Sequence, residues 1–253
     1  MKVITEDSFA VFAPIGLDEL DDRSGLQTRT ERKYVVPVEE LESILDAVDR
    51  EARVLEIGGR RRFGYESTYF DTPQLTSYLA TAQGRRRRFK LRTRVYADTG
   101  ECWFEVKTKG RRGITVKHRL PYSLEHHETV TAAARSFADR QLKEASVDVD
   151  TSSLSPTLRT SYDRTTLLLP ASGSRVTVDR DLRWEAASGR LWVGDYLVLE
   201  TKTTPGADTD LDRALWSLGH RPVRLSKYGT GLSLLWPELP GNKWHRLRHL
   251  DFS

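Results

Sequence analysis

The sequence predicts an α+β protein built on an antiparallel β tunnel: a closed or nearly closed barrel of about eight strands, with helices flanking it. Three observations lead there. Segment after segment alternates with a period of two, the strand repeat rather than the helical one. Short turn signals, Ala97–Gly100 and Gly110–Gly113 among them, separate these segments and suit antiparallel neighbours. Long cations recur on one face of nearly every strand, while carboxylates appear there only as Glu31, Glu105 and Glu200. A solvated sheet face mixes its polar residues more evenly, whereas a lumen lined by Arg and Lys with a few Glu suits a polyanion and a divalent metal.

In chain order, residues 1–27 show little periodicity and read as an N-terminal arm. TERKYVV (30–36) is a strand, with Glu31 and Lys33 on one face and Arg32 and Tyr34 on the other. Residues 37–52 read as a helix opened by Pro37, with Leu41, Ile44, Leu45 and Val48 on one side. Residues 61–72 form a strand, and QLTSYLA (74–80) a helical turn. A basic strand runs to Tyr96, its return strand spans 101–109, and a third strand 114–122. Residues 129–145 form a helix, 158–169 and 174–184 strands, and 189–203 one or two more. Helices follow at 208–219, ended by Gly219, and at 226–236, before a basic C-terminal tail from residue 241 to 253. Residues 28–240 are expected to form one domain.

The basic strand poses the sharpest question. In RRRRFKLRTR (85–94), Arg86, Arg88, Lys90, Arg92 and Arg94 share one face, with Phe89 and Leu91 opposite. Same-face neighbours about 7 Å apart repel by roughly 2 kcal/mol per pair at an effective dielectric near 20. Either solvent screens that face or an anion occupies it. Other strands repeat the pattern through Lys107, Lys117, Tyr162, Arg164, Arg175 and Lys202.

Composition narrows the classes. The chain has 253 residues, 30% of them charged, yet a net charge of only +4, so its basic character is local. Ten of the 40 cations are Lys and the rest Arg, whose planar fork suits phosphate or carboxylate. The single cysteine, Cys102, allows no internal disulfide or zinc cluster. The acidic N-terminus does not read as a signal peptide, and no run approaches a membrane span; a cytoplasmic location is expected. Arg85–Arg88 also read as a nucleic-acid patch, but aromatics are sparse on the basic face, and no nucleic-acid partner is expected. His118 is placed on the apolar side of its strand, and Trp184, Trp192, Trp216 and Trp236 read as packing residues.

Eight motifs then occur in order: ERKY (31–34), YFDT (69–72), RFKLRTR (88–94), FEVKTK (104–109), SYDR (161–164), SRVTVD (174–179), VLETK (198–202) and LSKYGTG (225–231). Together they resemble the VTC domain, the polyphosphate-polymerase-like branch of the triphosphate tunnel metalloenzyme, or CYTH-like, superfamily. The resemblance implies a β tunnel that binds ATP, polyphosphate or another triphosphate with Mg²⁺ or Mn²⁺, and a metal-dependent phosphotransferase. Triphosphate hydrolysis and non-catalytic binding are its alternatives. By the same resemblance Lys33, Arg92, Arg94, Lys107, Arg164 and Arg175 are catalytic. Arg88, Lys90, Lys117, Tyr162, Lys202, Ser226, Lys227 and Tyr228 bind substrate. Glu200, with Glu31 and Glu105, holds the metal, although the latter two also suit ion pairs with neighbouring cations. The hydrolytic branches carry Glu-x-Glu-x-Lys on the first strand; here Arg29 stands in place of the first Glu, which favours the polymerase-like branch.

Overall fold

Eleven strands join one sheet: β1 (Ala13–Ile15), β2 (Thr30–Pro37), β3 (Arg53–Leu55), β4 (Phe63–Asp71), β5 (Phe89–Tyr96), β6 (Glu101–Lys109), β7 (Thr115–Tyr122), β8 (Ser155–Leu169), β9 (Ser174–Ala186), β10 (Gly189–Val193) and β11 (Tyr196–Thr203). The helices are α1 (Leu17–Ser24), α2 (Leu41–Asp46), α3 (Thr76–Ala82), α4 (Ala132–Glu144), α5 (Asp210–Ser217) and α6 (Lys227–Leu235). This computed structural model describes residues 6–24, 30–109 and 115–250. Arg29, the Gly110–Gly113 turn, Ile114 and the last three residues of the tail lie outside that set.

The main path of the sheet runs β2-β11-β9-β8-β4-β5-β6-β7, with every neighbour antiparallel. Among the described residues no ladder joins β7 back to β2, so the sheet is open and the expected closure of the barrel is not seen. It is nevertheless strongly curled. Flat, β2 and β6 would lie about 29 Å apart at the usual strand spacing, beyond a Debye length in physiological salt. Yet the Lys107 ammonium on β6 feels that of Lys33 on β2. Only rolling the sheet brings those two side chains together.

The convex side carries helices. Leu41, Ile44 and Leu45 of α2 and Leu211 and Leu215 of α5 pack with Tyr34, Val36, Val176, Val178, Leu197 and Leu199. Ala134, Ala138 and Leu142 of α4 cover Phe89, Leu91, Phe104 and Val106. Hence Phe89 and Leu91 anchor the basic strand from behind. On the concave side, α6 lays Tyr228 and Leu232 against Tyr69, Leu158, Tyr162 and Val198. Its two glycines permit this: a Cβ at Gly229 or Gly231 would run into the rings of Trp244 and Trp184.

Several elements differ from the sequence reading. Pro37 has two roles: it ends β2, paired with Tyr196 on an edge strand where its missing N–H costs no ladder bond, and it stands at the N-cap of the 3₁₀ turn Val38–Glu40 that leads into α2. Helix α2 is only six residues long. The described part of the N-terminal arm, residues 6–24, is built in, since β1 pairs in parallel with β3 and Ile15 and Leu20 are buried against Leu55 and Leu168. The tail contributes the 3₁₀ segment Asn242–His249, which buries Trp244 and Leu247. Trp192 is 43% exposed rather than packed, because its strand β10 only edges β9. No helix among the described residues is long and apolar enough to cross a membrane.

Candidate functional site

The concave face is organised as rows of opposite charges set by strand register. Lys33 on β2 faces Glu200 on β11, with Nζ 3.6 Å from Oε2. Lys202, two residues on and therefore on the same face, reaches the other Glu200 oxygen at 3.1 Å. Burial would raise the Glu200 carboxyl, but Lys33, Lys202 and Arg164 hold it well below the ordinary range. Lys33 is raised in turn, chiefly by Glu200 and against burial.

Glu105 on β6 lies between Arg92 on β5 and Arg119 on β7. Its Oε2 accepts from Arg92 Nε at 2.7 Å and its Oε1 from Arg119 Nε at 3.1 Å, with Lys117 at 3.8 Å. Arg92 also donates to the Tyr69 hydroxyl at 3.1 Å. Burial opposes ionisation of Glu105, yet Arg92, Arg94 and Lys117 hold it far below its usual value.

Asp179 on β9 faces Arg164 on β8 and takes a bidentate pair at 2.6 and 2.9 Å. From α6, Lys227 donates to the same carboxylate and sits 4.1 Å above the Tyr162 ring. Burial pushes Asp179 up, but Arg164 and Lys227 bring it down to about 2. Tyr162 stacks on Tyr65 with centroids 5.3 Å apart, and accepts from Arg94 at 3.0 Å. Burial would raise that phenol; Arg94, Arg164 and Lys227 lower it instead.

The remaining cations are short of partners. The Arg94 Nε is buried without any hydrogen bond. Lys90 donates to the Ser226 hydroxyl at 2.7 Å, the same hydroxyl that caps α6 by accepting from Gly229. Burial, then Lys33, Lys107 and Arg92, push Lys90 well below its usual value. Lys107 falls to about 7, through burial and then Arg92 and Lys33. Lys117 falls to about 8 through burial, only partly offset by Glu105. Lys202 is lowered by burial as well, despite Glu200, so four ammoniums on this face are suppressed, burial first in each, where cations outnumber carboxylates.

Two predicted residues are placed elsewhere. The guanidinium of Arg175 is held by α1, with NH2 2.7 Å from Asp21 Oδ1 and Nε 2.9 Å from the Ser24 hydroxyl. Tyr228 is buried and gives its hydroxyl to Asp71. Asp71 in turn accepts from the Ser77 and Tyr78 amides at 2.9 Å, so YFDT caps α3 and ties it to α6. Arg88 lies at the far end of the basic column, donating to the Arg85 carbonyl at 2.7 Å. Sequence reasoning did not single out Asp179, Tyr65 or Tyr69. The parity of SRVTVD was the available signal for Asp179, because it repeats that of Arg175 and Thr177.

Residues 28–236 match the VTC domain family. The chain is a VTC domain protein. The fold is similar to that of a solved structure. A putative adenylyl cyclase from Hippeastrum, described as having a dominant triphosphatase activity, is 18% identical over 81% of this chain and 96% of its own, with a TM-score of 0.51. A putative adenylate cyclase from Bacillus halodurans is 16% identical over 79% and 94%, with a TM-score of 0.49. No curated protein matches the VTC chain. The family assignment agrees with the motif order, since all eight motifs fall within the matched span.

Proposed function

We propose that the concave face is a phosphate tunnel and that this VTC protein is a metal-dependent, polyphosphate-polymerase-like phosphotransferase. ATP is the donor and the end of a polyphosphate chain the acceptor. One observation carries the reading: Lys33, Lys90, Arg92, Arg94, Lys107 and Arg164, drawn from four strands, converge where Arg94 and the suppressed lysines lack anions.

Phosphoryl transfer needs positioning and neutralised charge more than covalent help from the protein. A terminal chain oxygen attacks the γ-phosphorus, the bond to the β-phosphate oxygen breaks, and ADP leaves. Arg92 and Arg164 suit the developing charge because Glu105 and Asp179 fix their guanidinium planes in advance. Arg94 offers its unused Nε, and Lys107 and Lys90 gain full charge as the anion enters. Lys202, Lys117, Ser226 and Lys227 line the approach; Arg175 is left to α1.

The family implies Mg²⁺ or Mn²⁺. Among the described residues no three His, Cys, Asp or Glu side chains gather to form a metal cage. That fits a hard cation which takes one or two carboxylates and shares the substrate's own phosphate oxygens. Glu200 and Glu31, on neighbouring strands and one face, are the pair to hold it. Glu105 suits it less, because Arg92 and Arg119 each hydrogen-bond one of its oxygens, whereas one Glu200 oxygen is approached by Lys33 only to 3.6 Å. Held by these carboxylates, the ion would supply Lewis-acid neutralisation of phosphate charge.

Triphosphate hydrolysis is the competing reading, favoured by the activity described for the Hippeastrum protein. Purified protein incubated with ATP and Mn²⁺, resolved on a gel for polyphosphate and assayed for free phosphate, separates the two. Long chains establish the polymerase. Free phosphate without chains replaces it with the hydrolase, and ATP bound without either product leaves a binding module.

A further inference from the structure

On the convex side α4 covers β5 and β6, while α2 and α5 cover β2, β9 and β11. Between these covers lies a cleft of about 450 Å³ across β4, β8, β9 and β10, a volume usual for small-molecule sites. Strand register lays out its walls as two rows. The first is Glu66, Ser161, Arg183 and Trp192, each opposite the next across a ladder. The second, built the same way, is Thr68, Arg159, Glu185 and Arg190. Alternation turns both rows away from Tyr65, Tyr162 and Trp184, which pack with α6 on the concave side. His127 closes one end of the cleft, where its carbonyl accepts from the Thr93 hydroxyl.

The two rows differ in how their charges are met. In the second, Arg190 donates to Glu185 at 2.8 Å and Arg159 pairs with Glu128 at 3.0 Å. In the first, neither the Arg183 nor the Glu66 side chain has an ion-pair or hydrogen-bond partner among the described residues. The Arg183 guanidinium lies instead over the Trp192 ring, 5.8 Å from its centroid. A Cβ at Gly194 would come within 2.6 Å of that indole, so the glycine makes room for it. A guanidinium held by its face keeps its in-plane N–H donors free, the arrangement that grips a phosphate. Glu66 and Arg183 stand two strand steps apart, about 10 Å, with Ser161 between them. A ligand that satisfies both carries an anion at one end and N–H donors at the other. Inorganic phosphate or an acidic peptide would leave Glu66 unmatched, whereas a purine nucleotide has both ends, with ribose hydroxyls between.

We propose that this convex cleft is a second ligand site, separate from the concave face, for a purine nucleoside monophosphate. Arg183 takes the 5′-phosphate, Ser161 the ribose, and Glu66 the N–H donors of the base. Trp192 is a positioning residue that holds the Arg183 plane. The site does not depend on the phosphate-tunnel reading of the other face.

The test is equilibrium dialysis of AMP and of GMP against the full chain, with tripolyphosphate in excess to fill the concave face. Wild type should bind AMP or GMP saturably and about tenfold more tightly than UMP, which lacks the exocyclic amine. Glu66→Gln and Arg183→Gln, both at exposed positions, should each weaken that binding about tenfold, the usual loss of a charged hydrogen-bond partner. Trp192→Ala should weaken it too, and Trp192→Phe should restore it. Arg94→Ala, on the other face, should bind the nucleotide as wild type does. No saturable binding, equal affinity for UMP, or full affinity in Glu66→Gln and Arg183→Gln would overturn the proposal. Displacement of the nucleotide by tripolyphosphate, or its loss in Arg94→Ala, would assign it to the concave face and overturn the convex site alone. Oligoadenylate that binds the cleft more tightly than AMP would assign it to RNA and overturn the proposal as well.

Discussion

Arg92 and Glu105 face each other across the β5–β6 ladder, with the guanidinium Nε 2.7 Å from Oε2 of a carboxylate that is 1% exposed. The pair therefore orients a cation for substrate and simultaneously holds three strands together through Arg119. Glu105→Gln should cost about 3 kcal/mol, the usual loss on breaking a buried ion pair, measured by urea unfolding. The acid dependence has a definite sign. The folded carboxyl is depressed, so its stabilisation is present above the ordinary Glu range and is lost as pH falls toward the folded value. Wild type should therefore lose more stability than Glu105→Gln as pH is lowered below about 4.

Arg94 is the arginine whose removal should separate function from fold. Its Nε is unused and its neighbour Tyr162 keeps the stack with Tyr65. Arg94→Ala should lower turnover on ATP by about a hundredfold, as loss of one preorganised donor does elsewhere, with an unchanged melting temperature. Normal ATP and polyphosphate binding by this variant would remove β5 from the proposed site.

Lys107 makes binding depend on pH. Burial, then Arg92 and Lys33, bring its ammonium down to about 7 in the free protein, and an entering anion raises it. Below that pH the lysine is already charged and affinity is complete. Above it, each bound triphosphate must bring a proton, and affinity should fall by up to about tenfold per pH unit. Titration calorimetry in buffers of different ionisation enthalpy should show proton uptake near pH 8 that Lys107→Met diminishes. The same substitution should stabilise the free protein by about 1 kcal/mol at pH 6, since it removes a charge that the anion-free fold disfavours.

Tyr228→Phe should behave as a structural substitution. It strips a hydrogen bond from the buried Asp71 and should cost about 1–3 kcal/mol in stability while leaving the affinity for ATP unchanged. A selective loss of ATP affinity would return Tyr228 to the substrate site.

Glu200→Gln should abolish activation by Mn²⁺ while metal-free tripolyphosphate binds at least as tightly as to wild type, because a negative charge has left the face. Unaltered Mn²⁺ activation would exclude Glu200 as the metal ligand.

Strand parity is local, and the sequence carried it well. In RFKLRTR each residue's face depends only on its place in the alternation, and β5 shows Phe89, Leu91, Thr93 and Val95 buried with Lys90, Arg92 and Arg94 turned the other way. Alternation likewise puts Glu31 with Lys33 on one face of β2 and Glu200 with Lys202 on one face of β11, and the register of the two strands sets Lys33 opposite Glu200. Strands β1 and β3 escaped because three residues hold too little alternation to read. The helix expected from Pro37 forms over residues 38–46, as a 3₁₀ turn and α2, and stops short of residue 52, while Pro37 itself also closes an edge strand.

What the sequence determined alone was the inventory: which segments are strands, which cations share a face, and that this face has too few carboxylates. What the tertiary structure decided was who meets whom. Curling brings Lys33 of β2 against Lys107 of β6, and the loss of solvent around them turns a tolerable row of charges into suppressed ammoniums. Folding of the arm hands Arg175 to Asp21, and docking of α6 hands Tyr228 to Asp71 and Lys227 to Asp179. These contacts join residues far apart in sequence, so they depend on register, curl and helix docking together, and alternation within a single strand carries none of that information.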